Sequence, residues 1–184
     1  MIEYGIYNNV AGQPYDDFIE YAISKSDAIL LVDFRYNGKA NRQYPLKSSA
    51  KKMLASLRPY CIKRRGDKDG KWEWPNNTSL IDKYSQKPAS YNMTIKVYRL
   101  SEELYEILRE PGSFFAWKYP KYPADLSFFK DNKCWFAITG HEKFACFYTE
   151  SKEEVEFLKS MGIPFEKSGE VADDYIFVED YELK

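Results

Sequence analysis

The segment "CWFAITGHEKFACFY", Cys134 to Tyr148, carries the only histidine of the chain, and a carboxylate follows it directly. A His141–Glu142 pair has the chemistry of a general base. The carboxylate raises the imidazole's affinity for a proton, and the imidazole takes one from a reacting group. The pair is not a metalloprotease signature, because HExxH needs a second histidine at position 145, which is Ala145. With one histidine in the chain a histidine-based metal site is excluded, and no GxSxG elbow supplies a serine nucleophile. The alternative is a hairpin tip, with "TGHEK" joining strands over Phe136–Ile138 and Phe144–Cys146.

Charge is distributed unevenly. Between Phe34 and Gly66 stand ten basic residues and no acidic one: Arg35, Lys39, Arg42, Lys47, Lys51, Lys52, Arg58, Lys63, Arg64 and Arg65. From Thr149 to Lys184 eleven acids face four lysines. A basic face suits a nucleic acid, a nucleotide or an acidic protein. An acidic surface suits a basic partner, and opposite charges speed encounter. Alternatively the two segments pack together and neutralise one another, or are solvated faces. The formal net charge of −1 conceals the asymmetry.

Aromatic residues supply the remaining candidates for recognition. Trp72 and Trp74 in "KWEWPNN" fall on one side of an extended loop, where they either anchor a ligand or cap a core. "FFAWKYPKYPADLSFF" presents Trp117, Tyr119 and Tyr122 between prolines that hold their predecessors extended. That rigid segment is either a recognition edge or a lead-in that buries its rings, with Asp125 capping or closing a turn. No phosphate-binding glycine loop is present, and "RRGDKDG" lacks the closing Glu of a calcium loop.

The elements that must position these residues follow from periodicity. The first third reads β-α-β-α. Ile2–Tyr7 is a strand, "YDDFIEYAI" a helix with Asp16 and Asp17 at the favourable end of its dipole, and Asp27–Tyr36 a strand buried on both faces. Ala50, Met53, Leu54 and Leu57 then form a helical stripe that Pro59 stops. The polar stretch after it predicts a long loop with one short strand. Tyr91–Leu100 alternates as a half-buried strand. "SEELYEILREPG" is a helix capped by Ser101. The last third is a meander around the turn Asp131–Asn132, followed by a helix with a Ser151/Glu154 capping box and Gly162 at its end. The Ser101 and Ser151 segments echo one another, but two copies establish no repeat.

The chain has 184 residues, which predicts a single domain, 1–184, or a two-lobed arrangement split at 1–88 and 89–184. That size sustains a core without a metal or disulfide staple. Three cysteines without CxxC spacing indicate free thiols in a reducing cytoplasm. No apolar run is long enough for a bilayer, and no export signal is visible. Aromatics at 17% exceed the ordinary share, which either marks a Tyr-rich surface or reflects codon bias.

The run "WKYPKYPADLSFFKDNKCWFAITGHEKF" resembles the W-x-YP-x-x-P-x-DL-x-FF…CW…HE pattern of a family of small soluble bacterial proteins sometimes labelled stage III sporulation protein. Trp117, Tyr119, Pro120, Pro123, Asp125, Leu126, Phe128, Phe129, Cys134, Trp135, His141 and Glu142 carry the likeness, which covers about the last 70 residues well and the N-terminal half loosely. The resemblance implies a compact α+β domain and directs attention to His141 and Glu142.

The expected fold is α+β, a mainly antiparallel sheet with about four helices. The expected function is that of a non-enzymatic cytoplasmic protein that neutralises another protein, of the toxin-immunity or phage–host conflict type. One alternative is a nucleic-acid or nucleotide binder using residues 35–65. Another is a hydrolase or transferase using His141 and Glu142. The binding residues expected are Arg35, Arg42, Lys51, Lys52, Arg64, Arg65, Trp72, Trp74, Trp117, Tyr119, Tyr122, His141 and Glu142. No cofactor and no membrane partner are expected, and the oligomeric state is left open.

Overall fold

A computed structural model describes residues 1–36, 44–67 and 91–171. They form an α+β fold with eight strands and four helices: β1 (Ile2–Ile6), α1 (Gln13–Lys25), β2 (Ala28–Tyr36), α2 (Ser48–Leu57), β3 (Cys61–Asp67), β4 (Tyr91–Arg99), α3 (Tyr105–Arg109), β5 (Ala124–Lys130), β6 (Lys133–Thr139), β7 (Phe144–Thr149), α4 (Lys152–Ser160) and β8 (Glu166–Glu170). The strands make one sheet in the order β3-β4-β2-β5-β6-β7-β1-β8, and every pairing is antiparallel. β1 and β2 run the same way with the β5-β6-β7 meander between them, and α1 carries the chain across it. Strands from both ends of the chain therefore share one sheet.

The unbroken apolar run of β2 has the cause expected of it. Ile29 and Leu31 join the helix-side core, while Leu30 and Val32 join a second buried cluster on the opposite face. Phe18 of α1 sits over the meander, its ring 4.3 Å from that of Phe136 and 4.9 Å from Phe114 in an edge contact. Phe128 and Trp135 complete this aromatic centre. Offset and edge contacts of this kind add to the area the rings bury.

Asp131 and Asn132 both adopt positive φ, the geometry of a tight hairpin, and Gly162 ends α4 at φ 78°. Two capping expectations change. Ser101 makes no side-chain cap, because residues Glu102–Leu104 form a 3-10 turn in which the Ser101 carbonyl, not its hydroxyl, accepts the Leu104 amide. Ser151 Oγ accepts the Glu154 amide at 3.1 Å as expected, but the Glu154 carboxylate does not return the bond. It is taken by Tyr21 Oη and Lys25 Nζ of α1, a charged tertiary partner that outcompetes a backbone amide.

Among the described residues the two charged segments lie apart. The described basic residues lie on and just before α2, on the turn after it and on β3, with Arg35 on β2, toward one edge of the sheet. The described acidic ones lie on α4 and β8, toward the other. Seven inter-strand steps of about 4.8 Å separate the edge strands by about 34 Å along the sheet.

Phe136→Ala, at the centre of the ring cluster, should lower the free energy of unfolding by about 3–5 kcal/mol in urea denaturation. A loss below about 1 kcal/mol would contradict this account of the core.

Candidate functional site

Two constellations gather the residues whose chemistry stands out. The first lies where the loop before β5 meets the β6–β7 turn. Trp117 is fully buried, and its indole Nε1 donates to Tyr15 Oη at 3.0 Å, which donates in turn to the Leu108 carbonyl at 2.6 Å. The Trp117 carbonyl accepts the Asp125 amide at 3.4 Å and lies against Gly140, where an added Cβ would come within 2.2 Å of it. Only glycine fits there. Asp125 is 2% exposed and has φ 58°, a left-handed conformation that Asp tolerates better than most residues. Its carboxylate faces the turn, with Oδ1 3.4 Å from His141 Nδ1. Glu142 Oε1 stands 3.8 Å from Nε2 of the same ring.

The imidazole is thus held between two carboxylates, with 43% of its side chain exposed. The nearby Asp125 carboxylate, and then that of Glu142, push the His141 pKa above its ordinary value, against a smaller opposing effect of burial. Burial pushes the Asp125 carboxyl upward as well, and His141 partly offsets it. Carboxylates facing both ring nitrogens favour the protonated imidazole, which opposes work as a general base. The geometry is that of a clasp joining the loop to the turn.

The second constellation is a cleft of about 340 Å³ at the basic edge, lined by Leu54 of α2, Arg58 of the following 3-10 turn, Cys61 and Arg64 of β3, and Lys96 and Tyr98 of β4. Register explains the convergence. Cys61 pairs with Tyr98 and Arg64 with Lys96, while a bulge between Cys61 and Lys63 keeps both pairs on the helix side. On the neighbouring strand, Asp33 accepts a two-pronged contact from Arg35, Nε and Nη2 each at 2.9 Å, and another from Lys96 Nζ at 2.9 Å. Burial alone would raise the Asp33 pKa, but the two cations outweigh it and hold the carboxylate below the usual range.

The expected binding residues divide accordingly. Arg64 lines the cleft, while Lys51 and Lys52 are exposed on α2 beside it. Arg35 is tied to Asp33. Trp117 and Tyr122 are core residues, the latter 4% exposed, so neither belongs to a recognition surface. Tyr119 is half-buried, its hydroxyl donating to the Tyr44 carbonyl and its ring edge-on to Phe34 at 5.3 Å. His141 and Glu142 form the clasp. Arg42, Trp72 and Trp74 lie outside the described residues, as does the Arg65 side chain. Sequence reasoning overlooked Asp125 as the partner of His141, and Asp33, Lys96 and Tyr98 as parts of the basic edge. The one signal for Asp33 was an acid within an apolar strand.

Among the described residues no group of three or more His, Cys, Asp or Glu side chains is arranged to hold a metal ion. No helix among them is long and apolar enough to cross a membrane. Comparison with models of protein families, with curated proteins and with solved structures finds no match.

A single histidine gives a single imidazole signal in NMR. Its titration midpoint should lie above the ordinary value of about 6.5 and fall back toward it in Asp125→Asn. Because the folded pKa is raised, the clasp's contribution to stability is full below about pH 6.5 and is lost as pH rises through the folded value. Denaturation midpoints should therefore decline over that window in the parent and decline less in His141→Asn. Identical pH profiles would remove the clasp.

Proposed function

We propose that the protein is a non-enzymatic cytoplasmic binding module that neutralises an acidic partner protein through its basic edge. The observation that carries this reading is the separation, among the described residues, of basic side chains toward one end of the sheet and acidic ones toward the other. Lys51 and Lys52 project from α2, and Arg58 and Arg64 have no carboxylate partner among the described residues. Arginine at a desolvating rim with an apolar neighbour such as Leu54 is characteristic of protein interfaces. The clasp supports a non-enzymatic reading, since it occupies the one histidine with two carboxylates. Two buried thiols and one exposed thiol, all free, fit a reducing compartment. An overall charge of −1 gives no general attraction for a polyanion, which disfavours the nucleic-acid alternative. Toxin-immunity and conflict systems are the biological setting in which small charge-matched inhibitors of this kind operate.

The expected result is a stoichiometric protein partner recovered with the tagged chain from its native host. Affinity should fall as salt rises and should weaken about tenfold or more in Lys51→Glu/Lys52→Glu. Recovery of nucleic acid in place of protein would transfer the function to the alternative. A partner held equally by the double variant would place its surface elsewhere.

A further inference from the structure

The cleft at the basic edge has a property that surface charge alone does not explain. Tyr98 is 1% exposed, yet its side chain lines the cleft, and among the described residues its hydroxyl has no hydrogen-bond partner. A hydroxyl with unused hydrogen-bonding capacity on a cleft wall is available to a ligand. Here it is aimed into a cleft that otherwise presents only hydrogen-bond donors and apolar surface: two guanidinium groups, one ammonium, a thiol and Leu54. Burial raises the Tyr98 pKa, and the nearby Cys61 and Asp33 act in the same direction, so the hydroxyl keeps its proton and serves as a donor.

Charge narrows the class of ligand. Among the described side chains Arg35, Arg58, Arg64 and Lys96 stand against the carboxylate of Asp33, leaving three net positive charges at the cleft and its wall. A lone carboxylate would neutralise one of these. A phosphomonoester carries nearly two negative charges at pH 7 and three acceptor oxygens, and arginine's planar fork matches it in two-pronged fashion. The cleft, near the lower end of the about 300–1,000 Å³ usual for small-ligand sites, accommodates a phosphoryl group with a compact organic body against Leu54.

We propose that this cleft binds a small phosphomonoester, with Arg58 and Arg64 gripping the phosphoryl oxygens, Lys96 supplying charge from the floor and the Tyr98 hydroxyl donating to one oxygen. The inference goes beyond the protein-binding reading and does not depend on it. Tyr98→Phe leaves the charge pole untouched, and Lys52 lies off the cleft.

Isothermal titration of the full chain with inorganic phosphate, AMP and acetate tests it. AMP should bind at least as tightly as phosphate, and both tighter than acetate. Arg58→Ala, Arg64→Ala and Tyr98→Phe should each weaken AMP binding about tenfold, whereas Lys133→Gln, on β6 away from the cleft, should leave it unchanged. Tyr98→Phe should also keep the parent's thermal stability, since the hydroxyl it deletes bonds nothing described in the fold. That separates a lost ligand contact from a damaged core. Binding of phosphate with exclusion of AMP, equal affinity in the arginine and Tyr98 variants, or no saturable binding at about 10 mM would each overturn the proposal.

Discussion

An open antiparallel sheet has two edges, and each presents a row of backbone N–H and C=O groups that no neighbouring strand in the sheet satisfies. Strands that occupy such positions need side chains that discourage casual pairing. β3 has "CIKRRGD" and β8 has "EKSGE", both heavily charged, while the strands between them bury most of their apolar side chains. Burial limits charge on the six inner strands, where Glu3, Arg35, Arg99, Lys130 and Lys133 stand at or near strand ends or toward solvent. Two charged side chains inside the sheet near the basic edge, Asp33 and Lys96, satisfy one another with the help of Arg35.

The clasp shows a different response to the same pressure. A carboxylate at Asp125 is almost out of reach of water, which penalises its charge. The sole histidine placed against it offsets part of that penalty, and the intervening backbone folds tightly: the Trp117 carbonyl receives the Asp125 amide and leaves no room for a side chain at Gly140. The residues of the W-x-YP-x-x-P-x-DL…HE run that lie far apart in sequence are here in contact.

Much of this was legible in the sequence, and what was not has identifiable causes. Period-two and period-3.6 patterns located β1, α1, β2, α2 and the meander because burial enforces them residue by residue. The Asp131–Asn132 turn was legible because its backbone requires positive φ. By contrast, the pairing of β1 with β7 and β8, or of β4 between β3 and β2, leaves no local trace, since it depends on which edges are free when distant segments meet. For the same reason the Asp125–His141 contact was invisible: Asp125 looked like a turn residue among prolines. Trp117 and Tyr122 misled in the opposite sense, because a proline-rich aromatic segment has the same composition whether its rings face water or the core. The Ser101 cap failed because a 3-10 turn satisfies the same amides with a carbonyl.

The position of β1 has a consequence for how the chain is made. Residues Ile2–Ile6 hydrogen-bond only to Phe144–Thr149 on one side and Glu166–Glu170 on the other. Of the described strands β1 is therefore made before both of its described neighbours, which lie far later in the sequence. Closing so long a loop is entropically slow. During that wait an apolar stretch stays unpaired, which is the period in which a nascent chain is most exposed to aggregation and most in need of chaperone protection.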